Sequence, residues 1–127
     1  MKCLLDTHAY LWYFKDSDCL SDTAAAIIED ANIPKYVSVA SLWEFTIKYS
    51  GGKLQFDGGL PFLREMMTKN GYTVLPIAQS HLAGIISLPF IHRDPFDRLL
   101  IATAKAEGMT ILTADENIHR YDVPSVW

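Results

Sequence analysis

The sequence predicts an α/β fold, a three-layer α/β/α sandwich with a mostly parallel central sheet. Short apolar runs alternate along the chain with longer stretches of helical periodicity, the signature of strand-helix units. The short runs are apolar throughout and do not alternate with polar residues, which is the pattern of strands covered on both faces. With 127 residues and no repeat or low-complexity tract, the chain reads as one domain over 1–127.

Residues 2–5, KCLL, are too few for a helix and form the first strand, which passes at Asp6 into a helix over HAYLWYF. Ser21-Asp22 opens a second helix, TAAAIIEDA, with the serine hydroxyl as its N-cap. YVSVAS (36–41) is β-branched and extended, and LWEFTIKY then carries helical spacing until Gly51-Gly52 stops it. LPFLREMMTKNGY (60–72) is a helix ending near Gly71, TVLPI a third strand and AQSHLAGIISL a further helix. Asp94-Pro95 starts the next helix and Gly108 ends it; MTILT is a fourth strand, DENIHRY a short helical turn, and VPSVW closes the chain.

Composition sets bounds on function. Fifteen acids against eleven bases give a net charge of −4, which speaks against general nucleic-acid binding through a Lys/Arg excess. Carboxylates gathered around a divalent cation would reverse that local balance. The opening MKCLLDTHAYLWYF is interrupted by Asp6 and His8 and lacks a small-residue cleavage site, so secretion is not expected; no eighteen-residue apolar run exists to span a membrane. Cys3 and Cys19 keep no zinc or redox spacing and read as free thiols in a reducing cytoplasm.

Four acids stand where the ligand crevice of a parallel sheet is expected, at the carboxyl ends of strands. Asp6 follows the first strand and Asp115 the fourth; each also suits a helix N-cap. Glu44 lies in the helix after the second strand, facing the crevice or pairing with Lys48 one turn on. On a 100° wheel Asp97 shares the side of Leu100, Ile101 and Ala104, while Arg98 and Lys105 mark the wet side. A carboxylate on a buried side is costly unless paired, hydrogen-bonded or metal-bound. Capping explains Asp94, with Pro95 at N1, better than it explains Asp97. Thr113 can hold a neighbouring carboxylate through its hydroxyl. His8 has no partner at ligand spacing and is left out of the site. An all-oxygen set suits Mg²⁺ or Mn²⁺, and the chemistry it suggests is phosphodiester hydrolysis.

These residues resemble those of PIN-domain ribonucleases, specifically the VapC-type toxins of toxin–antitoxin pairs. LLDTHAYLW matches the family's opening strand and first acid, SVASLWEFTIKYSGGKL the second, DPFDRLLIATA the third and ILTAD the fourth. The resemblance implies a Mg²⁺- or Mn²⁺-dependent endoribonuclease, commonly a homodimer, neutralised by a small cognate antitoxin. It implies that Asp6, Glu44, Asp97 and Asp115 carry catalysis and metal, with Thr113 supporting them. RNA would then be met by a basic rim of Lys48, Lys53, Arg93 and Arg98. Trp12, Trp43 and the YLWYF run are either partner surface or core, with core packing favoured for most of the rings. Two further readings compete: a phosphohydrolase with an aspartyl nucleophile, against which stands His8, and an acidic-pocket binding module without turnover.

Overall fold

A computed structural model describes all 127 residues. In chain order they form β1 (Cys3–Leu5), α1 (Thr7–Phe14), α2 (Asp22–Glu29), β2 (Lys35–Ser38), α3 (Val39–Ser50), α4 (Gly59–Lys69), β3 (Thr73–Leu75), α5 (Gln79–Ile86), α6 (Pro95–Glu107), β4 (Thr110–Leu112), α7 (Glu116–His119) and β5 (Ser125–Val126). The strands make one sheet in the order β3-β2-β1-β4-β5, and every neighbouring pair is parallel. The expected α/β/α sandwich is therefore the fold, and its sheet is parallel without exception.

β1 lies at the centre, its three residues wholly buried. Successive side chains of a strand face opposite ways, and the two cores divide accordingly. Cys3 and Leu5 pack with Val37, Phe45 and Leu63 beneath α1 to α4, whereas Leu4 packs with Ile101, Ile111 and Ile118 beneath α6 and α7. Each wholly buried Leu or Ile contributes roughly 1.5–3 kcal/mol. The layers are thus held from both faces of a three-residue strand.

Two boundaries differ from the sequence expectation. The strand expected over 36–41 stops at Ser38, whose hydroxyl accepts from Ala40 N and caps α3, so Val39 to Ser41 form the first helical turn. Val39 is β-branched and reads as strand; the cap overrides it. β5 has no counterpart among the expected elements: its two residues pair with Ile111 and Leu112 of β4, too short a run to show any periodicity. By contrast α6 begins and ends as expected. Asp94 Oδ1 accepts from Phe96 N and Asp97 N, Pro95 occupies N1, and Gly108 closes the helix at φ +67°.

Cys3 and Cys19 are unpaired. No helix is long and apolar enough to cross a membrane. Trp43 is 60% exposed, against the core packing favoured for most of the rings. The chain leaves β1 for β2 and β3 on one side and returns as β4 on the other, so a crevice opens over the carboxyl ends of β1 and β4.

Candidate active site

Asp6 is the residue immediately after β1 and is 8% exposed. Its Oδ1 accepts from Thr7 N at 2.7 Å, and its Oδ2 accepts from Thr113 Oγ1 at 2.8 Å. Thr113 follows β4, the strand beside β1, so the sheet itself sets this pairing. The threonine has one hydroxyl proton. It goes to Asp6, and the oxygen accepts from Asp115 N at 3.0 Å, which ties the fourth acid's backbone to the first acid's carboxylate.

Glu44 stands in the second turn of α3 and is buried, against the solvated pair its sequence also allowed. Oε1 accepts from Thr7 Oγ1 at 2.7 Å and Oε2 from Lys48 Nζ at 3.0 Å. Counting protons fixes the direction of everything behind it. Thr7 has given its only hydroxyl proton to Glu44, so Ser41 must donate to Thr7 across 2.6 Å, and Tyr10 must donate to Ser41 across 2.7 Å. Tyr10, Ser41 and Thr7 form a buried one-way chain of donors ending on a carboxylate; burial pushes the Tyr10 hydroxyl above its ordinary range. This chain of hydroxyls is not legible in sequence, because its partners stand 31 to 37 positions apart.

Asp97 lies in the first turn of α6, where the cap at Asp94 and Pro95 sets the helix phase. His92 Nε2 donates to its Oδ2 at 2.9 Å. Burial above all, then the charges of Asp6 and Asp94, push Asp97 up to about 7, with the His92 hydrogen bond opposing them. Burial likewise raises Asp6, opposed by Thr113 and helped by the nearby charge of Glu44.

Asp6, Glu44 and Asp97 line one cleft, together with Thr7, Ser38, Ser41 and Phe96. Asp115 lines the adjoining cleft with Asp6, His8 and Trp12, and it caps α7 through Asn117 N. Asp6 is therefore the wall between two half-sites. The tightest grouping of metal-capable side chains is a different one: His92, Asp94 and Asp97 place one ligand atom each within 4.8 Å of one another. No trio from the four expected acids is that close. His92 is thus a neighbour of the site that sequence reading missed, because a loop residue has no periodic position.

Of the expected basic rim, Arg98 is withdrawn from the surface. Arg98 is buried, not on a wet side: its guanidinium donates to the carbonyls of Pro89, Ile85 and Leu88 and to Tyr121 OH. The wheel failed because α6 packs against α5 as well as the sheet and is buried from Arg98 through Ala104. Lys48 is engaged by Glu44, leaving Lys53 and Arg93 exposed.

Known proteins resemble this chain over nearly its whole length. The family model described as PIN domain matches residues 3–124. Ribonuclease VapC22 of Mycobacterium tuberculosis (strain ATCC 25618 / H37Rv) is 30% identical over 130 residues, covering 98% of this chain and 97% of that protein. VapBC2 from Rickettsia felis, bound to a DNA fragment from their promoter, matches with a TM-score of 0.75 at 16% identity, over 99% of this chain and 98% of that one. A toxin–antitoxin complex from Klebsiella pneumoniae matches with a TM-score of 0.67 at 15% identity, over 98% and 96% of the two chains. At such identities the solved structures speak for the fold.

Proposed function

Because this chain belongs to the PIN domain family, we propose that it is an endoribonuclease, the toxin of a toxin–antitoxin pair, with its active site at Asp6, Glu44, Asp97 and Asp115. The observation that carries the site assignment is that Asp6, Glu44 and Asp97, from three elements far apart in sequence, line a single cleft at the carboxyl end of the sheet. An aspartyl nucleophile at Asp6 is the poorer reading, because His8 stands where that chemistry wants a second acid.

The donor set fits a hard divalent cation. It is all oxygen, and burial together with like charge raises both Asp6 and Asp97, a crowding that a cation relieves. Asp6, Asp97 and Asp115 would hold Mg²⁺ or Mn²⁺, with Thr113 supporting Asp6. When bound, such an ion offers positive charge to phosphate oxygens and lowers the pKa of a water molecule. Glu44 takes the proton of the attacking water, its carboxylate held between Thr7 and Lys48. Lys53 and Arg93 remain to meet the RNA backbone.

On this reading the partners are RNA, a small cognate antitoxin and a second copy of the chain. The working compartment is the cytoplasm, which suits two unpaired thiols. The four acids and the hydroxyls that hold them lie in one domain, residues 1–127.

The test is cleavage of RNA by the purified protein with Mg²⁺ or Mn²⁺, with EDTA and with Asp6→Asn and Asp97→Asn. Cleavage should require the ion and both acids. RNA cut equally well by either variant overturns the assignment.

A further inference from the structure

Residues 87–94, between α5 and α6, form no regular element, yet they bring His92 to Asp97. What holds them is unusual. Arg98 is buried without any carboxylate partner, although a guanidinium out of water is costly unless its donors are satisfied. Its Nη1 donates to Pro89 O at 2.9 Å and to Tyr121 OH at 3.1 Å, and its Nη2 to Ile85 O at 3.2 Å. The Phe90 ring lies 4.2 Å from the guanidinium carbon.

Tyr121 completes the clamp. Its hydroxyl accepts from His92 N at 3.0 Å and donates to His92 O at 3.4 Å. The one proton and the two lone pairs of that oxygen are then all used, by Arg98 and by both main-chain groups of residue 92. The start of α6 needs none of this, since Asp94 and Pro95 already cap it. The clamp therefore fixes the main chain of residue 92. That residue's side chain has one protein contact of consequence, the 2.9 Å hydrogen bond to Asp97 Oδ2.

The geometry points to His92 as a positioning residue for Asp97, presented by the Arg98–Tyr121 clamp, so that one carboxylate oxygen is held by the protein and the other is left for the ion. This rests on the divalent-metal reading above. Carboxylates that ligate metals are commonly held by such outer hydrogen bonds, and losing one typically weakens metal affinity 10–100-fold.

The test is Mn²⁺ titration of the full chain by calorimetry in the absence of RNA, for the unaltered protein and for His92→Ala, His92→Gln and Tyr121→Phe, followed by RNA cleavage at saturating Mn²⁺. His92→Ala should weaken Mn²⁺ binding by 10–100-fold and leave KM for RNA unchanged. His92→Gln restores an N–H donor and should recover most of the affinity, and Tyr121→Phe should fall between the two. Unchanged Mn²⁺ affinity in His92→Ala overturns the proposal, as does a glutamine variant no better than alanine. A raised KM for RNA with intact Mn²⁺ binding overturns it in favour of an RNA contact. Failure of the unaltered protein to bind Mn²⁺ at all is the distinct result that overturns the metal reading itself.

Discussion

Thr113 gives its only hydroxyl proton to Asp6 Oδ2, 2.8 Å away and 107 positions earlier in the chain. Both residues are buried, and Thr113 is the one side chain that donates to Asp6. Thr113→Val keeps the shape and removes the proton; it should cost about 1–3 kcal/mol of stability by leaving a buried acceptor unpaired. Mn²⁺ affinity should fall by roughly 10–100-fold. Thr113→Ser should retain both properties, as followed by urea unfolding and Mn²⁺ titration.

The cap and the inward acid at the start of α6 should separate under mutation. Asp94 Oδ1 serves two backbone N–H groups, so Asp94→Ala should cost about 1 kcal/mol and leave measurable cleavage. Asp97→Ala should abolish cleavage without a comparable loss of stability. Equal effects on both assays would contradict this division.

Stability of the metal-free protein should fall as pH rises. Asp97 lies at about 7 in the folded chain, against about 3.9 when unfolded. A raised carboxyl gives its full contribution below the unfolded value and loses it as pH climbs through the folded one. In EDTA the Tm should therefore drop between about pH 4 and pH 7, with Asp6, also raised, adding the same sign. The loss attributable to Asp97 is on the order of 1–2 kcal/mol once solvent screening is allowed for. Asp97→Asn should flatten the profile, and a Tm that rises over this range would contradict the assignment. Mn²⁺ binding in the same range should release protons, seen as a buffer-dependent heat.

Arg98 should behave as a core residue. Arg98→Met strands the buried Leu88 carbonyl and takes one donor each from Pro89 O and Tyr121 OH, at a cost of about 1–3 kcal/mol. Arg98→Lys should recover little, because one ammonium cannot span the same acceptors. Arg93→Ala, at an exposed position, should leave stability within about 0.5 kcal/mol and weaken RNA binding instead. Urea unfolding and RNA binding distinguish the two arginines.

What was legible in the sequence follows from how local each signal is. Strand ends are marked where apolar runs stop, which makes the crevice positions of Asp6 and, just beyond Thr113, Asp115 legible; the Asp94-Pro95 start and the Gly108 stop of α6 are each local signals and are legible to the residue. Arg98 was misplaced because the helical wheel assumes one wet side, and α6 between the sheet and α5 has none at that turn. His92, Tyr10 and Ser41 act through partners 5, 31 and 34 positions away. Such distances belong to the fold and leave no spacing to read. β5 escaped for a simpler reason: its two residues hold a place in the sheet through backbone pairing, to which side-chain pattern is blind.

The order of the strands also sets a clock. Cys3 in β1 pairs with Lys35 on one side and with Thr110 on the other, so the middle of the sheet cannot close before residue 110 is in place. Asp6 leaves the ribosome early but meets its threonine only when residue 113 has followed it out. A chain that has not reached residue 113 therefore leaves Asp6 without the hydroxyl that holds it.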